Sequence, residues 1–131
     1  MRSVKYYRPR DSQGLLMEFM EMLNEKLRYK LMKQLMRLYE IPLCDFKEPH
    51  FKHFGLEKYS RLYELREKNK VLVRIIFTIQ DGDIILLAPF IKRQTRDTMR
   101  ALEQSLRMLA ELRDHPEYAV ELKNIKEEQT A

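Results

Sequence analysis

Basic side chains stand at strand positions in the middle of the chain, where a β-pattern would otherwise be almost wholly apolar. Arg66 closes the segment LYELR, Arg74 interrupts VLVRIIFTI, and Lys92 and Arg93 follow DIILLAPFI. A guanidinium is planar and always charged, so it can hold a phosphate through two hydrogen bonds. Cations placed in this way indicate chemistry on a phosphate group, whose negative charge they would stabilise as it builds up.

A second group of candidates lies in a long loop between a helix and a strand. Pro42 ends the helix, and the irregular stretch CDFKEPHFKHFG that follows contains Lys52 and His53. Loops of this length are often functional, and a His can titrate near neutral pH and act as an acid or a base. Solvated Lys and His side chains are the ordinary alternative for any loop.

Several common kinds of active site are excluded by the residue types. The three His and the single Cys44 are too scattered to give metal-ligand spacing. The chain has no Gly-rich phosphate loop and no Gly-x-Ser-x-Gly turn, so NTPase and serine hydrolase functions are set aside. We expect no metal and no small-molecule cofactor.

Charge and hydropathy narrow the class of protein further. The 131 residues carry a formal net charge of +5, which favours an anionic partner. One Cys cannot form an internal disulfide, no apolar run approaches the roughly 20 residues of a membrane span, and the start MRSVKYYRPR lacks the apolar stretch of a signal peptide. These features predict a cytoplasmic protein without a membrane partner.

The dipeptide Asp81-Gly82 is the strongest local signal for structure. Between two β-branched runs it predicts a two-residue type I′ hairpin turn, which fixes the pairing of the flanking strands. The predicted pairs are Gln80 with Asp83, Phe77 with Leu86, Ile75 with Ala88, Arg74 with Pro89 and Val73 with Phe90.

This pairing assigns the two faces of the hairpin. One side is almost wholly apolar and is predicted to be the core under the helices: Val71, Val73, Ile75, Phe77, Ile79, Leu86, Ala88 and Phe90. Arg74 projects from the other side, which we expect to be uncovered. A three-residue turn before Val71 would place Glu64 opposite Arg74 and Arg66 beside Leu72. Alternation puts Arg93 rather than Lys92 on the side of Arg74, unless a bulge after Pro89 resets the phase.

The remaining elements complete an α+β domain. Residues 3–7 form a short edge strand, and apolar spacing predicts helices at about 12–23 and 25–40 that join near Asn24. Thr95 can cap a last helix whose apolar stripe runs from Met99 to Leu112. We expect one domain over residues 1–113 and a short acidic C-terminal tail over residues 114–131, because residues 101–131 contain four Lys/Arg against seven Asp/Glu.

The predicted order β-α-α-β-β-β-α, together with four ordered motifs, resembles the RelE/ParE superfamily of bacterial toxins, and within it the phage-derived, HigB-like branch. The motifs are PHFKHFG at 49–55, LYELR at 62–66, RIIF at 74–77 and FIKR at 90–93. The resemblance covers about residues 12–113. It implies two N-terminal helices packed on a small twisted antiparallel sheet.

The resemblance also implies a function. A member of this branch would be the toxin of a type II toxin-antitoxin system, a metal-independent endoribonuclease that cuts mRNA on the ribosome and is silenced by an antitoxin, here expected to be a helix-turn-helix protein. Arg74, Arg66 and Lys92 would be the catalytic residues, with Arg93, Lys52, His53 and Arg61 contacting RNA.

Two alternatives remain open from the sequence. Several related nucleases use a residue near the C-terminus, whereas Arg113, His115 and Tyr118 form no clear motif here, so a ParE-like protein that poisons DNA gyrase without nuclease activity is one alternative. The other is a non-toxic binding or scaffold protein of the same fold, in which Glu64 and Arg74 form a structural ion pair.

Overall fold

A computed structural model describes residues 2–68 and 70–123 and shows an α+β fold in which three α-helices pack on a six-stranded, mostly antiparallel sheet. In chain order the elements are β1 (Val4–Tyr7), α1 (Leu15–Met22), α2 (Glu25–Arg37), β2 (Phe51–His53), β3 (Leu62–Lys68), β4 (Leu72–Gln80), β5 (Asp83–Ile91), α3 (Thr95–Asp114) and β6 (Ala119–Glu121). In the described part of the chain, no helix is long and apolar enough to cross a membrane.

The order of elements differs from the predicted β-α-α-β-β-β-α. Two additional strands, β2 and β6, extend the sheet, whose strand order is β2-β3-β4-β5-β1-β6. Each has three residues, which is too short to show an alternating pattern in the sequence. Strand β1 is not at an edge, because it pairs parallel to β5 and antiparallel to β6.

One face of the sheet packs against α1 and α2, as predicted for most of the apolar side of the hairpin, but Ala88 and Phe90, predicted for the same side, lie on the other face and Val71 is exposed. Val73, Ile75 and Phe77 point into this core and are fully buried together with leucines of α2. Asn24 caps α2 through its side chain, which accepts a hydrogen bond of 2.8 Å from the backbone N–H of Leu27. The predicted join between the two helices is therefore confirmed.

The other face of the sheet is covered by α3, so the prediction of an uncovered face is wrong. Ile76, Ile85 and Leu87 on this face form a second core with Leu102 and Leu109 of α3. A helix with an apolar stripe must bury it, and the second face of the sheet is the surface within reach. The sheet is thus the middle layer of three.

The segment predicted to be an acidic tail joins the fold in its first part. After α3 ends at Asp114, residues 116–118 form a 3₁₀ turn and β6 adds to the sheet beside β1. Leu122 is fully buried in the core between the sheet and the N-terminal helices. The rest of the predicted tail, residues 124–131, lies outside the described residues.

The hairpin turn is confirmed, and it sets the register of the halves of β4 and β5 that lie next to the turn. Asp81 and Gly82 both have positive φ, 54° and 83°, as a type I′ turn requires. Gln80 pairs with Asp83, and Phe77 pairs with Leu86 as predicted.

Candidate nucleic-acid interface

A β-bulge decides which cation at the end of β5 shares a face with Arg74. Leu87 and Ala88 together oppose Ile76, so that beyond this point Arg74 pairs with Phe90. The predicted pairs of Arg74 with Pro89, Ile75 with Ala88 and Val73 with Phe90 are therefore wrong by one residue.

The bulge exchanges the roles predicted for the two cations after β5. The backbone N–H of Lys92 donates to the carbonyl of Leu72, two residues before Arg74, and this places Lys92 on the face of Arg74. Arg93 is exposed beyond the strand end, and its backbone N–H donates to the Asp97 carboxylate at 2.8 Å. That bond and a second from Gln94 lower the pKa of Asp97 below its ordinary value.

The pairing of β3 with β4 brings the two arginines directly opposite each other. Arg66 pairs with Arg74, while Glu64 pairs with Ile76 rather than with Arg74 as predicted. The shift arises because β3 continues to Lys68, which pairs with Leu72. A shift of two residues changes the partners but preserves the faces.

Strand β2 adds a fourth cation to this face, because Lys52 pairs with Glu64. The side chains of Lys52, Arg66, Arg74 and Lys92 therefore follow one another across the neighbouring strands β2, β3, β4 and β5. We call these four residues the cationic row. Lys52 and Lys92 are each displaced by two residues along the strands from the Arg66–Arg74 pair, in opposite directions, so the row runs diagonally over roughly 20 Å.

Glu64 is the carboxylate that neutralises the centre of the cationic row. Its side chain is 1% exposed, and its Oε1 accepts a hydrogen bond of 2.9 Å from Arg66 Nε. Arg74 Nε lies 3.7 Å from the same oxygen. Like charges directly opposite on paired strands repel each other, so Glu64 is what allows the two guanidiniums to lie side by side.

Arg74 is held in a largely dry environment. Its side chain is 11% exposed, and burial lowers its pKa, against the opposing effect of the nearby Glu64 carboxylate. Among the described residues, neither Arg74 Nε nor the second oxygen of Glu64 has a hydrogen-bond partner. Two buried polar atoms therefore have hydrogen-bonding capacity that remains unused.

Arg66 is the more accessible of the two arginines. Its side chain is 24% exposed, and its Nη1 lies 3.8 Å from the mainly exposed carboxylate of Glu48. Lys52 and Lys92 are also partly exposed. Four cations against Glu64 and Glu48 leave the row with an excess of positive charge, most of it on the residues that solvent can reach.

His53 is separated from the cationic row. It pairs with Tyr63, whose side chain packs against the core under α1 and α2, and the two rings stack at 4.5 Å. His53 Nε2 donates to the carbonyl of Ser60 at 2.6 Å. The His ring thus points to the opposite face, where it cannot transfer a proton to or from a phosphate on the row.

Arg61 lies at the other end of the sheet, roughly 17 Å from Arg74 when five strand residues are counted along β4. It borders a cavity of about 550 Å³ near the hairpin turn, together with Arg113 from the end of α3. His115 stacks on Tyr118 at 4.8 Å beyond the end of α3. The structure therefore does not bring these C-terminal residues to the row.

Two features of this site were missed by reasoning from the sequence. The sequence gives no signal for Glu48, and it predicts Lys52 in a loop rather than on a strand beside Glu64. The alternation of buried Phe51, partly exposed Lys52 and exposed His53 is the signal, but it covers three residues only. Among the described residues, no group of His, Cys, Asp or Glu could hold a metal ion.

No protein-family model matches the chain, and no curated protein matches it.

Proposed function

We propose that the protein binds RNA through the cationic row and cleaves it, as a metal-independent mRNA endoribonuclease of the toxin type. The observation that supports this most is the direct pairing of Arg66 with Arg74 in a row of four cations. Such a pairing is unfavourable in itself, so a function that needs adjacent guanidiniums is its simplest explanation.

The chemistry we propose is attack of a ribose 2′-OH on the adjacent phosphate. The attack gives a cyclic phosphate and releases a 5′-OH end, and negative charge builds on the non-bridging oxygens on the way. Cations that are fixed before the reaction stabilise that charge most effectively. Arg66 and Lys92 are exposed enough to contact the phosphate. Arg74 is largely buried beside Glu64 and would keep the side chains of the row in place.

The partners follow from the proposed activity and from the resemblance of the motifs to HigB-like toxins. The substrate would be mRNA on the ribosome, which places the protein in the cytoplasm. A small helix-turn-helix antitoxin would silence it by covering the cations of the row.

Expression in a bacterial host tests this proposal. We expect the wild type to arrest growth and to create new 5′ ends in cellular mRNA. Lys92→Ala and Arg66→Ala should lose both effects, because they remove accessible cations. Arg107→Ala, an exposed arginine of α3 away from the row, is the matched control and should behave as the wild type.

Purified protein separates cleavage from indirect effects. Cleavage of an mRNA on ribosomes should persist in EDTA and disappear in the Lys92→Ala variant, with folding of each variant verified by circular dichroism. Growth arrest without any new mRNA ends would contradict nuclease activity and favour a gyrase-type target. A folded wild type that neither arrests growth nor cuts RNA would contradict the toxin function altogether.

The burial of Glu64 favours a second candidate function. A carboxylate that already neutralises two guanidiniums suits a structural ion cluster in a binding or scaffold protein without catalytic activity. In that case the Arg66→Ala and Lys92→Ala variants would change stability but no cellular phenotype.

A further inference from the structure

The outer surface of α2 carries a second, quite different set of cations. Lys26, Lys30, Lys33 and Arg37 recur at intervals of three or four residues, and all four are exposed. This spacing aligns them along one side of the helix, opposite the leucines that α2 buries. We call these four residues the α2 stripe. Eleven residues of rise make it roughly 16 Å long.

The charges of the α2 stripe are not balanced by ion pairs within the part of the chain that the structure describes. Within residues 2–68 and 70–123, none of its four members forms an ion pair. The fifth basic residue of α2, Arg28, is occupied in a different way, because its Nε donates to the carbonyl of Met20 at 2.9 Å and so closes the end of α1.

The α2 stripe opposes two rules of helix stability. Like charges three or four residues apart repel each other, and they occur here at every step from Lys26 to Arg37. Lys26 also stands in the first turn of α2, where the helix dipole disfavours a cation, whereas Arg37 stands in the last turn, where the dipole favours one. A run of like charges that repel each other and form no ion pair among the described residues suits an external partner of opposite charge.

The exposed side of α3 shows what an ordinary solvated helix looks like in the same protein. There Arg100, Glu103, Arg107 and Glu111 alternate in sign at intervals of three or four residues, so that opposite charges are neighbours. The single sign of the α2 stripe is therefore a property of that helix and does not follow from the net charge of the chain.

We infer that the α2 stripe is a second RNA-binding surface, which holds the backbone of a double-stranded RNA segment. Lysines are flexible point charges that suit phosphate contacts without sequence recognition. A duplex presents its phosphates as a regular line, which a straight row of cations on a convex helix can follow. Tyr29, which is 69% exposed beside Lys30, offers a hydroxyl that can bond with a ribose 2′-OH.

The choice of RNA over DNA rests on the proposed function, whereas the preference for a phosphate backbone rests on the stripe alone. The sheet separates the α2 stripe from the cationic row, so one molecule could hold a folded RNA on α2 and a single strand on the row. The stripe would then anchor the protein to structured RNA while the row acts on the substrate.

Fluorescence anisotropy with a labelled RNA hairpin that has a 20-base-pair stem tests the inference without requiring cleavage. We expect Lys30→Gln/Lys33→Gln to weaken binding about tenfold at low salt and to reduce the salt slope by about 2, because two phosphate contacts are lost. The control Arg107→Gln/Arg113→Gln removes the same charge from the exposed side of α3 and should bind the hairpin as the wild type does.

Three results would overturn the inference. They are failure of the wild type to bind the hairpin at low salt, an equal loss of affinity in both double variants, and tighter binding to a DNA duplex of the same sequence. Hairpin binding is measured without cleavage, whereas nuclease activity is followed by new mRNA 5′ ends, so failure of this inference and failure of the proposed function are distinguishable.

Discussion

The cationic row and the α2 stripe each contain four cations, yet they occupy opposite kinds of environment. The row lies on strands under the edge of α3, and its central residues Arg66 and Arg74 share the buried Glu64. The stripe lies on a convex helix in full contact with solvent, and no acidic group neutralises it among the described residues. The positive charges of the row are thus partly buried and paired with a carboxylate, whereas those of the stripe are exposed to solvent.

The difference teaches how burial changes the role of a cation. In a dry environment an unpaired charge is costly, so a buried guanidinium needs a fixed counter-ion and becomes rigid in return. In water the cost of an unpaired charge is small, and the side chain remains mobile. A rigid row suits positioning of one phosphate, whereas a mobile stripe suits salt-dependent contact with many.

The largest effect is expected from removing the counter-ion of the row. Glu64→Gln would leave two guanidiniums directly opposite each other with no carboxylate between them. We expect the free energy of unfolding to fall by about 3 kcal/mol, the range found when one partner of a buried ion pair is removed. Urea unfolding followed by circular dichroism measures it.

An exposed ion pair of the same protein provides the control. Glu103 Oε1 lies 2.6 Å from Lys58 Nζ, but both side chains are largely in solvent, so Glu103→Gln should leave the unfolding curve almost unchanged. Equal stability of the Glu64→Gln variant and the wild type would mean that solvent screens the two arginines and that the row is open.

A moderate effect on stability is expected where α3 covers the face of the sheet that carries the row. Ile76 is fully buried between Arg74 and the α3 core. Ile76→Val should cost about 1 kcal/mol, because one buried methyl group is lost and a small void is left. Val71→Ala, at an exposed position before β4, should change stability by less than about 0.5 kcal/mol. Similar small losses of unfolding free energy at Ile76 and Val71 would contradict the burial of Ile76 under α3.

The contrast between the two regions also shows what the sequence can predict. The hairpin turn was predicted correctly because Asp81-Gly82 determines it locally. Helix α2 and its join with α1 near Asn24 followed from apolar spacing, and the structure shows that Asn24 caps α2. The sequence indicates Arg66, Arg74 and Lys92 as candidates because a charge within a strand pattern is conspicuous, and Lys52 because it lies in a long loop.

The geometry of the row could not be predicted, because it depends on contacts distant in sequence. The bulge opposite Ile76 places both Leu87 and Ala88 under α3, and this packing reverses the sides expected for Lys92 and Arg93. The pairing of Arg66 with Arg74 depends on how far β3 continues before the turn. Strands of three residues, such as β2, have too few positions to be recognised.

The smallest effect has the opposite sign and comes from the stripe. Lys30→Glu would convert two repulsive contacts, with Lys26 and Lys33, into attractive ones on the surface of α2. We expect the free energy of unfolding to rise by about 0.5 kcal/mol while hairpin binding is lost, as measured by thermal unfolding and anisotropy on the same preparation. Lys30→Gln should give an intermediate value for both.

If Lys30→Glu instead destabilises the protein, the stripe has an internal acidic partner, and its positive charge would no longer need RNA to explain it. If stability rises and binding is unchanged, the stripe is a solvated surface whose repulsion serves no duplex. Only a gain in stability together with a loss of binding shows that the cations of α2 lower the stability of the free protein and bind a phosphate backbone. The paired arginines of the row would then follow the same rule.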